Sequence, residues 1–217
     1  MGQILVKPLS PSALPLVHSE KAYRGILRRQ RTMYWLWRFA SRPFLRSCHM
    51  GVHERDLIKG ARYLLVANHQ SSLDPFVMCA QVPFRIWQHL WTLHYMTANY
   101  FMNQPVTGRL LVKLGCFPAQ VHHQYHYGIA QASELLKYGH SVLMFPEGRR
   151  TRRGERPVRH GVELLAREPN VLLVPIHIEW RRHRFGRTFQ IGVGQPFDAR
   201  AMTAEAIVDH IYNIPLR

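Results

Sequence analysis

The sequence predicts an α/β fold: a single domain with a mixed, largely parallel sheet flanked by helices, preceded by an N-terminal amphipathic membrane-associating helix. Three observations predict it. Short apolar runs of strand length alternate with segments of helical period, the pattern of a sheet with covering helices. The length, 217 residues, suits one sizeable core. Hydrophobic residues make up 47% and charged residues 19%, an ordinary globular composition.

Taken in order, residues 1–19 read as an irregular arm, because Pro8, Pro11 and Pro15 interrupt any regular element. Residues 20–47 read as a helix, its pattern clear as far as Pro43. Trp35, Trp37, Tyr34 and Phe39 sit there among Arg28, Arg29, Arg31, Arg38, Arg42 and Arg46. Interleaved aromatic and Arg side chains suit a lipid headgroup region; an amphipathic helix packed on the protein's own core gives the same pattern. Residues 48–217 form the domain proper. Within it, 63–67 reads as a buried strand and 74–81 as a helix, with Asp74 as N-cap and Pro75 at its first position. A short helix is expected over 108–114, a strand near 116–117, and a helix over 122–138 closed by Gly139. Strands follow at 141–145, 171–178 and 188–193, with a helix over 158–167 between the first two. A last helix begins near Thr203 and carries Ile207, Val208 and Ile211 on one face.

Charge narrows the function. Lys and Arg number 29 against 13 Asp and Glu, a net of +16, with 14 His besides. Such a field attracts nucleic acid, anionic lipid headgroups or phosphate-bearing cofactors. Cys48, Cys79 and Cys116 are scattered, odd in number and without a CxxC pair, which points to a reducing compartment. No secretory signal is visible, and no stretch reaches the ~20 apolar residues that span a bilayer. The reading is of a protein that is soluble or lies on a membrane surface.

Two polar segments follow directly on two of the expected strands. Asn68-His69-Gln70-Ser71-Ser72-Leu73-Asp74 follows the first, and Pro146-Glu147-Gly148-Arg149-Arg150 follows the strand ending at Phe145. Ligands in open α/β sheets bind outside the carboxyl ends of strands, so the two belong to one candidate site. A histidine can take a proton from an alcohol near neutral pH, and works better when a carboxylate holds one ring nitrogen. His69 and Asp74 suit those roles, with no serine nucleophile between them; Ser71 and Ser72 read as turn or cap residues. Gly148 allows a tight turn, Arg149 can fork onto a phosphate, and Glu147 can accept hydrogen bonds from substrate hydroxyls or from the arginines. The loop is densely cationic, with Arg149, Arg150, Arg152, Arg153, Arg156 and Arg159, a pattern that an exposed, solvated charge run also produces.

The succession Asn68-His69-x-x-x-x-Asp74, then Phe145-Pro146-Glu147-Gly148-Arg149, then Val174-Pro175-Ile176 resembles the glycerolipid acyltransferases of the 1-acylglycerol-3-phosphate acyltransferase type, over roughly residues 52–196. The resemblance implies direct transfer of a fatty acyl group from acyl-CoA or acyl-carrier protein to a hydroxyl of a lysophospholipid-like acceptor, as in phospholipid biosynthesis. His69 would be the general base and Asp74 would orient it. Asn68, Phe145, Pro146, Glu147, Gly148, Arg149 and Pro175 would line the substrate site, with Arg150, Arg152 and Arg109 as candidate phosphate contacts. It implies no metal and no bound cofactor. One departure stands out. The family's second block carries a Lys before and an Arg after its Pro-x-x-Gly segment. Here Pro105-Val106-Thr107-Gly108 and Gly115 are present, but those two charges are missing near Ala98 and Val121, which opens the acceptor to another lipid or small molecule. His122, His123 or Arg109 are the nearby substitutes.

Together these readings place the protein on the cytoplasmic face of a membrane, its partners being an anionic surface, a lipid acceptor and the acyl donor. The region 86–101, rich in Trp, Tyr and Met, is a candidate lining for the acyl chain, core packing being the alternative. His122, His123 and His126 form a local cluster with i, i+4 spacing that suits metal, though without the Glu of a zincin or a third ligand. A non-enzymatic nucleic-acid-binding protein is the other alternative, invited by the charge and by Arg181-Arg182-His183-Arg184; no nucleic-acid-binding motif supports it. A lipid-binding relative without activity is a third, against which the pairing of His69 with Asp74 speaks.

Overall fold

The computed structural model describes residues 20–58, 60–90, 92–120, 125–152, 154–184 and 186–216. Helix α1 (Glu20–Ser41) lies against the domain through Ile26, Gln30, Tyr34 and Ser41, a stripe at spacings of four and seven residues. Pro43, lacking a backbone N–H, sits in a 3₁₀ turn over Arg42–Phe44 that ends the helix. Strand β1 (Leu45–Met50) follows and joins the sheet edge. The expected helix over 20–47 is therefore shorter. Arg46, Ser47 and His49 make β1 look polar, as a half-covered edge strand does, and this hid it. The expected arm over 1–19 lies outside the described residues.

Strand β2 (Arg62–Ala67) leads through the His69 loop into α2 (Asp74–Gln81) and α3 (Phe84–Trp87). Strand β3 (Leu93–Thr97), α4 (Asn99–Met102), α5 (Thr107–Lys113) and β4 (Cys116–Pro118) follow. Next come α6 (Tyr125–Lys137) and β5 (Ser141–Met144). Gly139, at φ +85°, closes α6 with two reverse hydrogen bonds, Gly139 N–H to Leu136 O and His140 N–H to Leu135 O. The chain ends through α7 (Gly161–Ala166), β6 (Val171–His183), β7 (Gly186–Val193) and α8 (Ala204–Tyr212). Thr203 caps α8, its hydroxyl accepting from Ala206 N–H.

Among the described residues seven strands form one sheet in the order β1-β7-β6-β2-β5-β3-β4. Of these described strand pairs, only β6–β7 is antiparallel. Strand β6 outruns its expected end at Ile178 because β7 pairs with it from Ile176 to His183. The expected helix over 158–167 contracts to α7, since Arg159 N–H is engaged by Pro146 O in a loop that returns to the site.

Alternate residues of the central strands face opposite cores, as the strand period of two requires. Leu65, Ala67, Leu143, Val174 and Ile176 pack with α1, α2 and α3. Leu64, Val66, Val142, Met144 and Leu173 pack with α6, α7 and α8. Covering helices on both faces explain why these strands read as continuous apolar runs.

Candidate active site

Strands β2 and β5 are parallel neighbours, Val66 opposite Met144, so the segments that follow them emerge side by side at one edge. Asn68 sets the first. Buried beyond the end of β2, its amide donates to Ile178 O at 2.8 Å and accepts from Ile178 N–H at 2.7 Å. The side chain thus continues the β2–β6 ladder and fixes where the loop leaves the sheet.

His69 comes next. Its backbone N–H donates to Glu147 Oε2 at 2.8 Å, and its carbonyl accepts from Thr151 N–H at 2.7 Å and Thr151 Oγ1 at 3.0 Å. Its ring stacks on Phe145, centroids 4.1 Å apart. Nδ1 lies 2.9 Å from Asp74 Oδ2. The His69 side chain is 18% exposed and that of Asp74 0%.

Asp74 collects four N–H donors. Oδ2 accepts from Gln70 N–H and Ser71 N–H, each at 2.7 Å, and from His69. Oδ1 accepts from Trp180 Nε1–H at 2.6 Å. A carboxylate is the acceptor-only form that satisfies all four. The proton between the pair therefore sits on Nδ1, and Nε2 is the ring nitrogen with a free lone pair. Asp74 is the first residue of α2 and not its N-cap; Leu73 holds that position, and the carboxylate turns back to the loop in place of capping its own helix.

Glu147 is buried and lies off the cleft lining. Oε2 accepts from His69 N–H and Thr151 Oγ1 (3.0 Å), and Oε1 from Tyr212 O–H at 2.5 Å. Burial pushes its carboxyl above the usual range, while the donors from Tyr212, His69 and Thr151 pull it back down. The expected contact with substrate hydroxyls is replaced by a structural one: Glu147 ties the His69 loop to α8. Gly148 turns at φ +67°, its N–H bonded to Phe145 O.

A broad cleft of about 1980 Å³ opens over His69. Apolar groups line much of it, among them Trp37, Phe76, Tyr95, Phe101 and Leu111, so part of the aromatic region 86–101 does line a groove. Arg149, Arg150, Arg159 and His160 add a basic wall. Arg149 pairs with Glu155 at 3.1 Å and Arg150 donates to Ser72 Oγ at 3.3 Å. Arg109 and Arg152 are exposed and lie off the cleft lining, and Pro175 is buried in β6 opposite Val66. Burial pushes the thiols of Cys79 and Cys116, both on the lining, up to about 12. Sequence reasoning missed Gln70, whose Oε1 accepts from Trp180 N–H at 3.0 Å, and likewise Trp180, Thr151 and Tyr212. The partners of Gln70, Trp180 and Tyr212 stand far away in the chain, and Thr151 joins Glu147, four residues before it, to the distant His69 carbonyl; no local pattern marks any of them.

Among the described residues no group of three or more His, Cys, Asp or Glu is arranged to hold a metal ion; His122 and His123 lie outside the described residues, and His126 is exposed. The model of the family described as Acyltransferase matches residues 49–179, well over half of the chain. The chain belongs to the acyltransferase family. The fold agrees: the crystal structure of the 1-acyl-sn-glycerophosphate (LPA) acyltransferase PlsC from Thermotoga maritima superposes with a TM-score of 0.62 at 17% identity, covering 93% of this chain and 81% of that one. No curated protein matches. The acyltransferase thus carries Asn68, His69, Asp74 and the segment from Phe145 to Arg149 within the matched region, where the structure gathers them at one sheet edge.

Proposed function

We propose that this acyltransferase moves a fatty acyl group from the thioester of acyl-CoA or acyl-carrier protein to a hydroxyl of a lysophospholipid-like acceptor, at the cytoplasmic face of a membrane. The observation that carries the reading is the His69–Asp74 pair at the floor of a large, partly apolar cleft. Nε2 of His69 takes the acceptor's hydroxyl proton as the oxygen attacks the thioester carbonyl carbon. The carbon–sulfur bond then breaks, and the thiolate recovers the proton from Nε2. No covalent enzyme intermediate forms. Asp74 holds the ring and offsets the positive charge it gains.

Acyl chain and acceptor differ in chemistry, and so do the walls. Trp37, Phe76, Tyr95 and Leu111 suit the chain; Arg149, Arg150 and Arg159 suit a phosphate. Ala98, near the place of the family's missing Lys, lines the cleft without a charge, so a phosphate would be recognised by the arginines of the same lining, Arg149, Arg150 and Arg159. The lysophospholipid assignment draws support from the fold shared with the Thermotoga maritima protein.

The test is a panel of lysophospholipids and other hydroxylated lipids offered to the purified protein with a radiolabelled long-chain acyl-CoA or acyl-carrier protein. Labelled diacyl product is expected, with preference for a phosphate-bearing acceptor. His69→Ala is expected to abolish product while leaving the circular dichroism spectrum intact. Near-normal turnover in that folded variant would eliminate His69 as the base.

A further inference from the structure

Exposed large apolar side chains concentrate in two places among the described residues. One is the outer face of α1, where Leu36 and Phe39 are exposed and Trp35 is half-exposed, one face of its ring stacked on Phe84, while Tyr34 is buried and Trp37 stacks on Phe76. The other is the α4–α5 hairpin, with Tyr100, Phe101, Val106 and Leu110. Val106, at the turn between the two helices, is 80% exposed and Leu110 52%. Nothing in the transfer chemistry uses these two residues, which lie off the cleft lining. Exposed apolar groups at this density mark a contact surface.

We infer that the α4–α5 hairpin is a second membrane-docking element, which inserts Val106 and Leu110 below the headgroups of an anionic bilayer and sets the cleft mouth on the lipid surface. The inference rests on the membrane location proposed above. Three observations converge on lipid as the partner.

The first is charge. No Asp or Glu occurs in residues 75–133, nor in 21–53, while Arg109 and Lys113 stand exposed on α5 beside Leu110. Apolar tips flanked by cations, on segments that carry no acid, complement anionic headgroups over acyl chains. The second is position. Tyr100, Phe101, Thr107 and Leu111 of the hairpin line the cleft, as do Met33 and Trp37 of α1. A lipid leaving the bilayer between the two elements enters the cleft directly. The third is rigidity. Gly108 presses α5 onto α4, where a Cβ would stand 2.1 Å from Met102 O. The base of α5 is pinned to α1, since Gln30 Nε2 donates to Leu114 O at 2.8 Å and to Leu93 O at 2.5 Å. The hairpin thus holds its apolar tip out as a fixed wedge instead of folding it away.

The experiment is co-sedimentation of the full chain with vesicles of phosphatidylcholine, with and without phosphatidylglycerol. Wild type is expected to partition onto the anionic vesicles. Val106→Asp with Leu110→Asp should lower the partition coefficient at least about tenfold, from lost apolar burial and added like charge. Both positions are exposed, so the fold should be unchanged by circular dichroism; Val106→Asp alone provides the same reading at the less packed site. Val106→Leu should retain binding. A double variant that binds as wild type does, while Trp35→Ser with Phe39→Ser loses binding, would overturn the hairpin as a docking element and leave the membrane location standing. Wild type that fails to bind any vesicle would overturn both.

Discussion

Replacing Asp74 by Asn perturbs one atom at a carboxylate that accepts four hydrogen bonds. Three donors converge on Oδ2 and one on Oδ1. An amide cannot serve both sides. Its least costly orientation keeps oxygen towards His69, Gln70 and Ser71 and aims its NH₂ at Trp180 Nε1–H, leaving two buried donors facing each other. Each unsatisfied group costs about 1–3 kcal/mol, so for the two a loss of ~2–6 kcal/mol of stability is expected. In this orientation Nδ1 of His69 keeps its proton and its partner. What disappears is the negative charge beside the imidazolium that the proposed transfer forms. At about 4 Å and an effective dielectric of about 20 that charge contributes ~4 kcal/mol, or roughly a thousandfold in rate. The assay is single-turnover acyl transfer with substrate saturating, beside urea denaturation of the same protein. Trp180→Phe supplies the control: Asp74→Asn should cost less stability in that background, because the opposed donor is gone, yet the same factor in rate. A rate within about tenfold of wild type in folded Asp74→Asn would refute the assignment of Asp74 as the group that stabilises the charged ring.

Two further outcomes follow from buried groups elsewhere. Tyr212→Phe removes the donor to Glu147 Oε1 and should destabilise the protein by about 1–3 kcal/mol. Burial already raises the Glu147 carboxyl, and losing this donor raises it further. A carboxyl with a raised folded-state value contributes stability at low pH that is lost as pH rises through that value. The deficit of the variant should therefore be larger at about pH 8 than at about pH 5, and a deficit independent of pH would count against the link. His94, buried with Nδ1 on Gly115 O at 3.0 Å, is depressed to about 3 by burial and by neighbouring His140. The unfolded chain binds a proton below about 6.5 that the folded chain refuses, so stability falls as pH drops from there towards 3. His94→Asn should remove up to ~1.4 kcal/mol per pH unit of that slope between about pH 6 and pH 4.5 in urea denaturation; equal slopes would show that His94 charges freely in the fold.

Local chemistry was readable where one segment carried its own signal. The run from Tyr63 to Ala67 declared a strand covered on both faces, and Asp74-Pro75 the start of a helix. Their placement after a strand, in company with Phe145 to Arg149, led to one site. What stayed hidden depends on contacts between distant segments. Trp180 reaches Asp74 across 106 positions and Tyr212 reaches Glu147 across 65. Nothing at either residue's own neighbours distinguishes it from an ordinary strand or helix aromatic. Glu147 shows the opposite error: its type and motif suggest substrate binding, whereas only the packing reveals it as a buried tie. For α1, the sequence contains both faces at once. Tyr34 and Trp37 belong to the packed side and Leu36 and Phe39 to the open side, with Trp35 at the boundary against Phe84, a division that the stretch of aromatics conceals.

The ties that hold His69 run to β6 through Asn68 and Trp180, to the loop after β5 through Glu147 and Thr151, and from there to α8. Among the described residues none of these ties reaches α4, α5 or α6, which form much of the cleft wall. Helix α2 is the bridge between centre and enclosure: it begins at Asp74, its Phe76 and Ala80 line the cleft, and α1 holds it through Trp37 stacked on Phe76 and Arg38 donating to Ala80 O. Substitutions on α4, α5 or α6 therefore reshape the enclosure at a distance from His69, whereas substitutions at the α1–α2 contact bear on the carboxylate that holds its ring.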